Sequence, residues 1–433
     1  MNYLKKVLMV SAASLAVAGM SHADQQPLEE RLAALESMVA ELKAELAAER
    51  ARSDADIVRI ETQIAATPAA APEAPTKKDG FMVGDTTVKV GGILDFDAHM
   101  THLDSGAIAS GSIARDFYIP GATPVGGDST TFSDFTAESS RFFISAATPW
   151  GDSEVKAHLE LDFLGSAQGN ELVTNSYSPR LRRAYVTYGN WLAGQEWSTF
   201  QNTSAIPESA SFLIPSDGMV FVRQPQIRYT NGNWQFALEN SNTPTITSGD
   251  QDTNTLPDAV VRYNWKGAYG NVSLAGLGRQ LRMEVPGIEE ETFGYGLSLS
   301  GQLKVGERDD IRFNLAGGEG IGRYIGLAAG REAALSPTGD LEAIPSYGGL
   351  IAWRHPFGET ARFNIGYSGL FIDNPSYVAG TATSSVQSAY AAVLWDVAPK
   401  VTLGVEAMHG IRELENGADG AISRFTFSTK YAF

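Results

Sequence analysis

The chain has 433 residues, no cysteine and a formal net charge of −17. Without cysteine there is neither a disulfide framework nor a thiolate metal site, and the acidity argues against a nucleic-acid partner. Forty-four glycines and an aromatic share of 10% fit an all-β architecture with many turns better than a helical enzyme.

The N-terminus, MNYLKKVLMVSAASLAVAGMSHADQQ, reads as an export signal over residues 1–23. Lys5 and Lys6 form its basic start, Val7 to Gly19 its apolar run, and Ser21-His22-Ala23 a small-x-small cleavage site. That run is shorter than the ~20 residues a spanning helix needs. Residues 24–64 read as a coiled-coil helix in the periplasm. Leu28, Leu32, Leu35, Val39, Leu42 and Leu46 alternate spacings of four and three, and a stutter leads into a second frame from Arg50 to Ile64. Residues 65–80, with TPAAAPEAP at their centre, are an extended Pro/Ala linker.

From Phe81 to Phe433 the texture changes to alternation. In SEVKAHLELDF, residues Val155, Ala157, Leu159, Leu161 and Phe163 oppose Glu154, Lys156, His158, Glu160 and Asp162. Successive strand side chains point to opposite faces, so each segment has one apolar and one wet face. Sixteen such segments follow one another, joined alternately by seven tight turns and eight longer polar connections. An even strand count, short turns on one side and long loops on the other predict an up-and-down transmembrane barrel of about 16 antiparallel strands. Aromatics share the apolar parity (Tyr263 and Trp265 with Val261; Phe363, Tyr367 and Phe371 with Ile365), as the interfacial girdles of a bilayer require. The closing segment, RFTFSTKYAF, places Phe425, Phe427, Tyr431 and Phe433 on that lipid face.

The other parity then lines the bore. It carries fifteen basic residues, among them Arg183, Arg228, Arg262, Arg312, Arg354 and Arg362. Against them stand Asp95, Asp97, Glu154, Glu160, Asp162, Glu239, Asp396 and Glu406. A basic wall concentrates anions whatever the total charge. The third long loop, STFQNTSAIPESASFLIPSDGMVFV (198–222), is short of charge and carries Phe212, Leu213, Ile214 and Phe221, which marks it as the candidate to fold inward and constrict the bore, the other reading being a loop that packs at a subunit interface. No G-x-S-x-G elbow and no phosphate loop is present, so neither an enzyme nor a cofactor is expected. The competing readings are a sugar-type or general pore and a structural tether.

The stretches SRFFISAATPWGDSEVKAHLELDF, LRRAYVTYGNWLAGQEWSTF, RQPQIRYT and VAPKVTLGVEAMHGIRE resemble the DcaP-like porins of Gram-negative outer membranes. The order of signal, coiled coil, linker and barrel resembles that family too. The resemblance implies a homotrimer held through barrel walls and bundled N-terminal helices, set in outer-membrane lipid. It also implies uptake of small organic anions such as dicarboxylates or aromatic carboxylates. Carried over position by position, it places Arg182, Arg183, Gln195, Trp197, Glu208, Arg223 and Arg228 near the waist of the pore. The departure lies in the third loop, where Pro207-Glu208 runs into SASFLIPSDG instead of further acidic and apolar residues.

Overall fold

The computed structural model describes residues 80–165, 169–170 and 174–433, together with Ala44. The export signal, the coiled coil and, but for Gly80, the linker therefore lie outside the described residues, Ala44 aside.

Sixteen barrel strands follow in chain order. Strand β1 is Thr86–Leu103, and β2 runs as Thr130–Thr136 and then Arg141–Trp150. Next come β3 (Ser153–Asp162), β4 (Arg180–Tyr188), β5 (Trp191–Trp197), β6 (Arg223–Asn231), β7 (Trp234–Glu239) and β8 (Asp258–Gly267). The second half comprises β9 (Gly270–Val285), β10 (Ile288–Val305), β11 (Asp309–Glu319), β12 (Pro345–Phe357), β13 (Ala361–Ile372), β14 (Thr383–Ala398), β15 (Val401–Leu414) and β16 (Asp419–Ala432). Every strand pairs antiparallel with the next, and β16 pairs back onto β1 from Ile93↔Ala432 to Leu103↔Ile422. The ring is closed, so no backbone edge is left for lipid, which offers it no hydrogen bonds.

The terminal residue completes this seam: Phe433 N–H donates to the Gly92 carbonyl at 3.1 Å and its carbonyl accepts from Gly92 N–H at 3.2 Å. Below that point β16 has ended, and a short strand, Phe81–Val83, pairs with Thr86–Val88 of β1. The predicted parity holds on β16, where Phe425 and Tyr431 are exposed outward while Arg424, Thr426 and Ser428 are buried.

Two connections are shorter than the expected longer polar loops: β15 and β16 are joined by residues 415–418 alone, and β9 and β10 by fewer still. Strands β9 and β10 run 16 and 18 residues and meet across Pro286-Gly287 alone. RMEV and IEEE remain strand because they pair with each other, Arg282↔Glu291 to Val285↔Ile288, beyond the rim.

The buried core lies inside the barrel. Outer loops one (104–129), three (198–222) and six (320–344) turn inward and pack on the inner wall. Phe200, Val220, Tyr324 and Ile325 cluster with Ala237, Val260 and Leu370; Phe117, Leu213 and Met219 cluster with Leu350. Two strand pairs from loops four and six, Thr243–Thr245 with Gly249–Gln251 and Ala333–Leu335 with Leu341–Ala343, join through Thr245↔Ala333.

Candidate functional site

The inner wall carries two arcs of arginine with different partners. The first spans β2 to β6 and begins at a bulge. Glu160 of β3 pairs with Arg183 whereas Leu161 pairs with Leu181, so Arg182 is the extra residue. A bulge re-aims side chains, and here it turns consecutive arginines inward where strict alternation allows only one. Arg182 donates to Glu160 at 2.6 Å and to Asp162 at 2.5 Å. Arg180 grips Asp162 with two bonds of 2.8 Å, and Arg183 grips Glu196 with two of 2.7 Å. Arg141 lies 4.0 Å from Glu160.

Arg223 makes no ion pair with any described residue; its guanidinium lies 5.0 Å over the Trp197 ring, which packs at 4.8 Å on Phe221. Arg141 and Arg182 both lie 5.5 Å from the Phe212 ring. Five arginines thus face three carboxylates, with Nε of Arg141 and Nη1 of Arg223 buried and unpartnered among the described residues. A cationic excess in a partly desolvated wall acts with far less screening than in bulk water.

The second arc holds the third loop. Arg262 donates to the carbonyl of Gln201, Arg312 to that of Ile206 at 2.6 Å, and Lys430 to that of Ser211 at 3.1 Å. Arg362 donates to Glu208 at 2.7 Å and to Asp396 at 3.2 Å. Glu406 accepts from the Ala210 N–H at 2.9 Å and from the Ser211 hydroxyl at 2.6 Å. At the far side of the loop the Gly218 N–H donates to the Ser368 hydroxyl at 2.7 Å. Arg354 pairs with Asp310 at 2.6 Å and does not touch the loop. Arg228 is half-buried within electrostatic range of Glu196 and Glu239.

The expected waist residues therefore separate. Arg182, Arg183, Trp197 and Arg223 come together in the first arc, while Glu208, Arg262, Arg312 and Arg362 meet in the second, where the arginines anchor backbone carbonyls and Glu208. Gln195 belongs to neither: its amide donates to the carbonyls of Leu181 and Arg182 at 3.3 and 2.9 Å. It shares the parity of exposed Trp191 and Ala193, as do Trp197 and its register partner Arg223 at the loop-three ends of β5 and β6, and its amide braces the bulge through those two carbonyls. Parity counting also passed over three inward carboxylates. Glu196, Asp258 and Asp310 are all buried, and each is paired with arginine.

Sequence reasoning missed the first and sixth loops. Tyr118 of loop one donates to Asp217 of loop three at 2.7 Å, and Arg424 and Arg412 reach the carbonyls of Ala114 and Thr123. In loop six, Arg323 and Tyr324 bind Asp258 at 2.9 and 2.7 Å, and Arg279 bridges Asp258 to Glu332. The signal was present: DFYIP (116–120) and IGRYIGLAA (321–329) are apolar runs in polar loops, the feature that singled out loop three. A further surprise is aromatic. Phe143, His158 and Tyr185 stand side by side on the inner wall, with ring centroids 5.7 and 5.3 Å apart, beside Lys89 and Lys156.

A closed sixteen-strand barrel with an aromatic outer face and a charged inner wall partly filled by loops defines an outer-membrane channel of the porin class. Within that class the chain belongs to the DcaP outer membrane protein family, whose model matches residues 79–433. Among solved structures it is similar to the outer membrane channel DcaP of Acinetobacter baumannii, at 22% identity and a TM-score of 0.72, covering 82% of this chain and 100% of that one. It is also similar to the outer-membrane expressed OmpT of Vibrio cholerae, at 11% identity and a TM-score of 0.51, covering 82% and 99%. No match is found among curated proteins. The fold and family place the chain in a Gram-negative outer membrane.

Proposed function

We propose that this channel conducts small organic anions, dicarboxylates or aromatic carboxylates, past a waist formed between loop three and the arginines of β2 to β6. The observation that carries the reading is the imbalance of the first arc, five arginines against three carboxylates, with Phe212 and Trp197 beneath their guanidinium groups. Guanidinium planes above aromatic rings offer a carboxylate two donors and its carbon skeleton an apolar surface. Binding of that kind is weak enough for release, as conduction requires. The test is a reversal potential in planar bilayers under a salt gradient. A potential of the sign that marks cation preference removes the proposal.

A second reading has one observation in its favour. The inner row of Phe143, His158 and Tyr185 is an aromatic surface inside the bore, which a sugar pore would use. Current blocked by malto-oligosaccharides but insensitive to dicarboxylates decides for it. In either case we assign residues 1–23 to export, 24–64 to a periplasmic coiled coil that ties three copies together, 65–80 to its linker, and 81–433 to the barrel.

A further inference from the structure

Asp217 occupies an unusual place in loop three. It is fully buried, and its carboxylate is the point where three elements meet. Oδ1 accepts from the Tyr118 hydroxyl of loop one at 2.7 Å, and Oδ2 contacts the Ser388 hydroxyl of β14. The next residue, Gly218, bonds to Ser368 of β13.

The surroundings are neutral on every side. Ser388 registers opposite Ser368 and Gly410, the Tyr118 hydroxyl lies against Gly410, and Gly326 of loop six closes over the Asp217 carbonyl. The charged groups of the neighbouring elements point elsewhere. Arg115 of loop one pairs with Asp134, Arg323 of loop six with Asp258, and Arg412 of β15 with Thr383 and the Thr123 carbonyl. Glu406, also on β15, binds Ala210 and Ser211. Among the described residues no lysine, arginine or histidine forms an ion pair with Asp217, and Tyr118 is the one titratable group hydrogen-bonded to it.

We propose that Asp217 makes the seating of loop three depend on protons: the closed pocket fits the neutral carboxylic acid, and ionisation favours release of the loop. A neutral acid keeps the Tyr118 bond on Oδ1 and carries no charge into the pocket; the Tyr118 and Ser388 hydroxyls both donate to the ionised form and offset only part of its burial cost. An ionised carboxylate is instead enclosed without a counter-charge, which is costly. The direction of titration agrees. Burial pushes the Asp217 carboxyl from its ordinary 3.8 up to about 6. The seated loop therefore holds the proton more tightly than a released, hydrated one does. Seating is firmest below the ordinary value, weakens by about tenfold per pH unit as pH rises toward 6, and levels off above it. Across that window the seated-to-released ratio changes by up to ~100-fold.

The inference does not depend on which ions pass, but it rests on loop three narrowing the bore. The experiment is single-channel recording of the full-length protein between pH 4 and 8, scoring the fraction of time spent in larger-conductance substates. The expected result is a fraction that falls about tenfold per unit between pH 6 and 4 and is flat above. Asp217→Asn, which mimics the neutral acid, stays at the low fraction at every pH. Tyr118→Phe, which removes a donor that favours the anion, moves the titration to higher pH. A pH-independent wild type, or an Asp217→Asn variant that titrates like wild type, overturns the inference. If Gly218→Ala leaves conductance unchanged, the narrowing itself has failed. If that variant opens the channel but pH does nothing, only the proton dependence has failed.

Discussion

Loop three is seated on the barrel wall by backbone, and this makes one glycine decisive. A Cβ added at Gly218 would lie 2.3 Å from both N and O of Gly349 and 2.4 Å from the carbonyl of Gly369. None of these atoms is the end of a flexible side chain, so the wall cannot give way. On the wall side Gly348 is matched to the contact, its own Cβ position lying 3.2 Å from the Gly218 Cα. Overpacking of a close-packed contact costs about 1–3 kcal/mol, and a backbone clash belongs at the upper end. Because the ladder hydrogen bonds of β12 and β13 do not involve the loop, the relief is to lift 198–222 off the wall and leave the barrel intact. With RT near 0.6 kcal/mol, about 3 kcal/mol shifts the seated-to-lifted ratio by roughly 100-fold. Gly218→Ala is therefore expected to keep heat-modifiable migration on a denaturing gel while raising single-channel conductance and adding open-state noise. Gly276→Ala on the outer wall, whose Cβ meets only Leu297 Cδ2 at 3.8 Å, serves as the neutral control. Wild-type conductance and noise in Gly218→Ala would refute the view that this contact positions the loop.

Other expected outcomes follow from the first arc and from the N-terminal segment. Arg223→Gln removes a cation with no ion pair to lose, so thermal stability stays near wild type while the anion-to-cation permeability ratio falls by at least about fivefold, the lower bound set by roughly 1 kcal/mol of Coulomb energy at 4 Å under full water screening; ratio measurements from reversal potentials check it. Arg182→Ala strips two buried carboxylates of a partner and lowers stability by about 3 kcal/mol, the low end of the usual loss because Arg180 and Arg183 still hold Asp162 and Glu160. Gel-shift melting temperature reads that loss, and selectivity shifts toward cations. On the proposed trimer with a coiled coil at 24–64, deleting that segment lowers the temperature at which the trimer separates in detergent and leaves conductance per pore unchanged; loss of conductance would give the segment a role beyond tethering.

The barrel was legible in the sequence because its rule is local: a period of two, repeated sixteen times, with connections of two lengths. Lipid enforces that rule on one face of every strand, so Phe425 and Tyr431 disclose their direction without any tertiary information. The inner face is under no such constraint. Whether Arg262 and Arg312 meet solute or the carbonyls of Gln201 and Ile206 depends on where loop three lies, and that is decided by a glycine seat contributed by β12 and β13, more than a hundred residues away in the chain. The bulge at Arg182 is equally invisible to counting, since one inserted residue reverses every assignment beyond it. It is also what assembles the first arc, because a regular β4 would turn only one of Arg182 and Arg183 toward Glu160. The resemblance supplied both arginines where alternation could supply one, yet it also supplied Gln195, whose amide is spent on the Leu181 and Arg182 carbonyls behind the bulge. Position within a motif therefore identifies the neighbourhood of the waist. The face on which each side chain stands is set by the irregularities that interrupt the pattern.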